Sequence, residues 1–119
     1  MPRYLAVFTG TAESRAASGW DALAPDARKA REVEGMQAWQ AWMERHRDAV
    51  QENGAPLGKT LRVDRNGVTA IRNAMAAFVV VEAESHDAAA RMFEQHPHFT
   101  IFPGDGVEVM ECLPMPTID

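Results

Sequence analysis

Four histidines and a handful of carboxylates are the side chains in this sequence best able to move a proton near neutral pH. His46 closes the segment Trp42-Met-Glu-Arg-His46, His96 and His98 flank Pro97, and Asp105 follows at a turn. Imidazole has an ordinary pKa close to 7, so His46 and His98 are candidate general acids or bases. Each has a plainer alternative. His46 falls within an apolar helical stripe, where a buried imidazole bonded to a carbonyl would serve packing alone. His96, His98 and Asp105 have the donor types of a zinc site, but His-x-His without a fixed third ligand equally suits a loop bonded to its own backbone. No metal is assigned. Glu82 shares the strand parity of Phe78 and Val80, and Glu111 that of Val107 and Val109. A carboxylate facing a cavity would carry a raised pKa and could relay a proton, whereas one at a strand end simply reaches water.

These groups need elements to hold them. Tyr4-Leu-Ala-Val-Phe8 and Ala77-Phe-Val-Val-Val81 are short apolar runs on both parities, as in central strands covered on both faces. Gly10 to Ala24 is small and polar, which predicts a loop with one short helical turn. Pro25 suits a first helical turn and Asp26 the positive end of its dipole. From there a helix is expected to run to Asn53, with Gly54 as its stop. Met36, Trp39, Met43, His46 and Val50 lie along one side of it. Projected backwards, that stripe meets Glu32 and Arg28, so residues 24–35 are expected to form a polar extension that is solvated or turns at Gly35.

Leu57 to Val63 reads as a strand, with Asn66-Gly67 as a hairpin turn and Val68 to Ile71 as the return arm. Ser85 caps a second helix through Glu94, Pro97 ends it, and Val107 to Cys112 alternates as a last strand. Cys112 is expected to be a small core residue. Residues 114–119 form a tail. The order β-α-β-(β)-β-α-β is the split β-α-β pattern of a ferredoxin-like α+β protomer with an antiparallel sheet. Residues 1–119 are expected to form one such domain. Two helices cover one sheet face only. The other, apolar on the Ala77 strand, would expose a large patch, so a homodimer joined face to face with a cavity at the seam is expected.

With those elements in place, the chain resembles the YCII-related (YciI-like, DGPF-type) family. The likeness rests on Met1-Pro-Arg-Tyr-Leu5, Trp39-Gln-Ala-Trp42, Gly54-Ala-Pro-Leu-Gly58, Val80-Val-Glu-Ala-Glu-Ser85, His96-Pro-His-Phe-Thr-Ile-Phe-Pro-Gly104 and Val107-Glu-Val109. The resemblance implies a dimeric α/β barrel. Some relatives are dehydrochlorinases of hydroxylated chloroaromatics that use a His–Asp pair, and His46 lies near the family's helix histidine. No aspartate here matches the partner. Ile71-Arg-Asn-Ala-Met75 stands where other branches carry Asp-Gly-Pro-Phe.

Composition narrows the function further. The net charge is −5, and the ten arginines and two lysines are dispersed among seventeen acids, which argues against nucleic acid. No apolar stretch approaches the roughly 20 residues of a membrane span. One cysteine and no leader pattern point to the cytoplasm. Phosphate-cradling, dinucleotide, Cys-x-x-Cys and nucleophile-elbow motifs are absent, so no cofactor is expected. The candidate catalytic set is His46, His98 and Glu82. Trp20, Trp42, Phe78, Arg72 and Asn73 are candidate contacts to a small organic ligand, with Trp20 placed as an aromatic lid. The chemistry would be proton transfer in an elimination, isomerisation or hydrolysis. The alternative is a module that only binds a ligand or assembles.

Overall fold

The computed structural model describes residues 1–118, so the last residue of the expected tail lies outside it. Six strands and four helices follow in the order β1 (Arg3–Thr9), α1 (Ala12–Ser18), α2 (Pro25–Arg45), β2 (Val50–Pro56), β3 (Thr60–Asp64), β4 (Gly67–Ile71), β5 (Met75–Glu82), α3 (His86–Arg91), α4 (Pro97–Thr100) and β6 (Gly106–Glu111). A single 3-10 turn, Trp20–Ala22, lies between α1 and α2. The main sheet has the order β2-β5-β1-β6 with every pairing antiparallel. This is the split β-α-β arrangement, with β1 and β5 in the middle as their apolar runs predict.

Register sorts the two faces. Tyr4, Ala6 and Phe8 lie opposite Val81, Val79 and Ala77, and Phe8 and Ala6 lie opposite Val107 and Val109 on the other side. These residues meet Trp42 of α2, Ala89 of α3 and Phe93 in the turn after α3 to form the core. Each large side chain fully buried there contributes about 1.5–3 kcal/mol. Trp42 also donates its indole N–H to the Met92 carbonyl at 2.8 Å, which ties α2 to the end of α3. The opposite face presents Leu5 against Val80 and Met110, and Val7 against Phe78. No helix of this chain packs there, and Met110 is exposed. Val7, on the same face, is buried.

Three expectations about the elements change. The long helix stops at Arg45, and Val50–Pro56 is an edge strand paired with β5. Val50 continues the helical stripe only by coincidence of phase, and pairing across the sheet overrides it. Gly54 is therefore no helix stop. Its φ is +68°, and it lies so close to the Phe78 carbonyl that a Cβ would overlap that oxygen. The register slips between Glu52 and Ala55, so Gly54 makes a β-bulge that only glycine fits.

Second, Gly35 is not a joint. Helix α2 runs through it because the Phe102 ring occupies the place of a side chain, and Arg31 donates to the Ile101 carbonyl at 2.9 Å. Residues 12–18 are a full helix opened by a Thr11–Ser14 capping box.

Third, the hairpin belongs to a separate two-stranded sheet, and Leu57 precedes it. Its loop is Arg65-Asn66. Gly67 alone has positive φ there, and Asp64 accepts the Asn66 N–H. Cys112 is exposed beyond the end of β6, not in the core. No helix among the described residues is long and apolar enough to cross a membrane.

Candidate functional site

Between α2 and the sheet a gap is lined along one edge by Asn53 to Pro56 of the bulged strand β2. The gap is a cavity of about 520 Å³. Its roof is Met36, Trp39, Gln40 and Met43 of α2, its floor Phe8, Ala77 and Val79, and its far wall His98 and Phe102. Not one Asp, Glu, Lys or Arg lines it. Such walls exclude ions and favour a flat neutral ligand.

His98 is the one imidazole in that lining. It is nine-tenths buried, at the second position of the one-turn helix α4. Its Nε2–H donates to the Thr9 carbonyl at 2.7 Å, a partner that can only accept, so the proton sits on Nε2. Nδ1 then carries a lone pair. It has no hydrogen-bond partner among the described residues and is not sealed from the surrounding space. Phe8 meets the ring edge-on at 5.2 Å, and Gly104 approaches so closely that a Cβ would strike the imidazole. The ring is clamped. Burial lowers its pKa, and the Thr9 hydrogen bond and the Asp105 charge oppose that shift. Asp105 donates its own N–H to the same Thr9 carbonyl at 2.9 Å. The Thr9 hydroxyl lies 3.2 Å from both the Asp105 carboxylate and the Gly106 carbonyl, and donates to one of them at a time. His98 is thus a neutral, oriented imidazole at pH 7.

No protein-family model matches the chain, and no curated protein is similar to it in sequence. Among solved structures, 5-chloro-2-hydroxyhydroquinone dehydrochlorinase from Burkholderia phenoliruptrix AC1100, in complex with 2,5-dihydroxybenzoquinone, is similar over 91% of this chain and 90% of that one. The TM-score is 0.52 and the identity 18%. The likeness shows the fold. This chain is an α+β protein with a ferredoxin-like split β-α-β sheet, the fold it shares with that protein.

Of the residues singled out from sequence, His98 and Phe78 line the cavity; by register the Phe78 side chain belongs to the open face, and its carbonyl lies against Gly54 at the bulge. His46 caps the C-terminus of α2, with its ring on Trp42 at 4.7 Å and outside the cavity lining. Burial, and then the Arg45 charge, lower its pKa. Glu82 lies on the open face, level with Arg3, while Glu111 lies level with Tyr4 on the helical face. Trp42 is core. Trp20 packs on Phe102 at 5.9 Å, behind the cavity wall. Arg72 and Asn73 line a separate hollow of about 580 Å³ at the base of the β3–β4 hairpin, where Asn73 bonds Thr60 and the Met75 N–H.

His96 carries a role the sequence does not reveal. Its Nδ1 accepts the His98 backbone N–H at 3.0 Å, so it caps α4 and sets the register of the neighbouring imidazole. Its Nε2 is fully buried without a hydrogen-bond partner, amid Phe8, Trp39 and Trp42 with ring centroids 4.5 to 5.0 Å away. Trp39 meets it edge-on at 4.5 Å. Burial, then the nearby His98, His46 and Arg45, lower its pKa to about 3. The unfolded chain protonates this histidine near the ordinary value, so it binds more protons than the folded chain between about pH 6.5 and 3. Stability therefore falls as pH drops through that window, by up to about 1.4 kcal/mol per unit from His96 alone. Urea midpoints measured from pH 7.5 to 4.5 should show it. In His96→Asn, which retains a capping acceptor without a titrating ring, the fall should be shallower although stability at pH 7.5 is lower.

Proposed function

We propose that this chain is a YCII-related homodimer that takes a small, flat, hydroxylated aromatic compound into the cavity beneath α2. There His98 Nδ1 accepts a proton from it, without a cofactor. One observation carries this: a clamped, neutral imidazole, one nitrogen of which has no partner among the described residues, on the wall of an apolar cavity lined by no charged side chain. Met and aromatic walls suit a ring, and Gln40 and Asn53 can each bond a hydroxyl. An apolar site keeps a phenolic ligand neutral until a base is aligned with its hydroxyl, so proton loss is confined to the intended position. The natural reactions are elimination, isomerisation or hydrolysis. The dehydrochlorinase whose fold this chain shares supports elimination from a hydroxylated ring.

Leu5, Val7, Phe78, Val80 and Met110 would form the contact between two copies, with Glu82 at its margin. Binding without catalysis is favoured by a different observation: no carboxylate lines the cavity to pass the proton onward. The test is a titration with chlorohydroquinone followed residue by residue. Saturable change centred on His98 supports the site, and its absence overturns it.

A further inference from the structure

The β3–β4 ribbon is an arm with one apolar face and nothing in its own chain to lie on. Its register places Leu61 opposite Ala70 and Val63 opposite Val68 on one side, and Arg62 opposite Thr69 on the other. Leu61, Val63 and Val68 are 66%, 74% and 65% exposed. A two-stranded ribbon in water is marginal at best unless its apolar face is covered. The arm does not fold back. The molecule is 61 Å long, and its radius of gyration is 16.6 Å, against about 13–14 Å for a compact chain of this length.

Charge indicates what covers the arm. Between Leu57 and Asn73 the chain carries Lys59, Arg62, Arg65 and Arg72 against the single acid Asp64, a net charge of +3. The whole chain is −5, so all the other residues together carry −8. The arm is the basic, apolar piece of an acidic protein that has a second uncovered apolar surface, the open face of its main sheet. Complementary surfaces on identical chains satisfy each other in a two-fold pair.

We propose that this arm docks on a second copy of the same chain, its apolar face down, with Lys59, Arg65 and Arg72 at the two ends of the ribbon against the acidic body of that copy, while Arg62 stays on the outer face beside Asp64. The contact adds to the face-to-face pairing described above and has its own signature. An undocked ribbon exchanges its amide hydrogens quickly, and a docked one is protected.

Hydrogen exchange of residues 60–71 should therefore slow by at least about tenfold as protein concentration rises, and high salt should weaken the protection. In the double variant Val63→Asp/Val68→Asp, at positions exposed in the lone chain, exchange should stay fast at every concentration while the core remains protected. A particle of twice the chain mass whose arm still exchanges fast overturns the arm's docking and leaves the face-to-face pairing intact. A particle of single chain mass at all concentrations overturns both. Arm protection that appears only when a polyanion such as nucleic acid is added also overturns the proposal.

Discussion

His98→Gln lowers turnover of a hydroxylated aromatic substrate by about 10² to 10⁴, the usual contribution of a positioned general acid or base. Release of chloride from 5-chloro-2-hydroxyhydroquinone is the first reaction to measure. Glutamine is chosen because its amide N–H can still reach the Thr9 carbonyl that holds Nε2 of the wild-type ring. The fold then loses little, and what disappears is the Nδ1 lone pair. His46→Ala is the matched control. That ring lies on Trp42, outside the cavity lining, so its loss should leave turnover within about twofold. Should both variants keep wild-type turnover, the enzymatic role is lost. The rate should also depend on pH in one direction. His98 must be neutral to act, and burial holds its pKa below the ordinary imidazole value. The acid limb therefore lies below about pH 6.5.

The second large effect concerns assembly. Val80→Asp places a carboxylate at the centre of the open face, opposite Leu5 and beside the strand partners Val7 and Phe78. In the lone chain that position is partly exposed, so the fold tolerates the change. Between two copies the charge would be buried with no partner, at a cost of several kcal/mol, enough to weaken association by about 10³-fold or more. Sedimentation at micromolar concentration should report twice the chain mass for wild type and the single mass for the variant. Equal masses for both would remove the face-to-face contact from the account.

Much of the fold is legible because it follows local rules. The apolar runs at Tyr4 and Ala77 and the Ser85 cap announce their elements directly, and the Ser85 hydroxyl does accept the Ala88 N–H; Pro97, expected to end a helix running through Glu94, instead opens α4, and α3 stops at Arg91. Strand β2 is not legible. Val50 continues a helical stripe, Gly54 resembles a helix stop, and only pairing with β5 makes the segment a bulged strand. Asn53 to Pro56 of that strand line the cavity, so the cavity is hidden with it. Sequence parity points to the open sheet face as the place for a pocket, whereas the cavity of this chain lies on the helical side. His98 is visible as a candidate, but its tautomer depends on Thr9, eighty-nine residues earlier in the chain. The buried role of His96 depends on rings from β1 and α2 and has no local signal.

The most direct measurement is a histidine nitrogen NMR spectrum recorded while chlorohydroquinone is added. The account predicts that Nδ1 of His98 shifts and saturates together with the Trp39 indole, while His46 and His86 stay where they were. Shifts confined to His46, or to residues of the open sheet face, would contradict it, as would a His98 signal unmoved at saturating ligand.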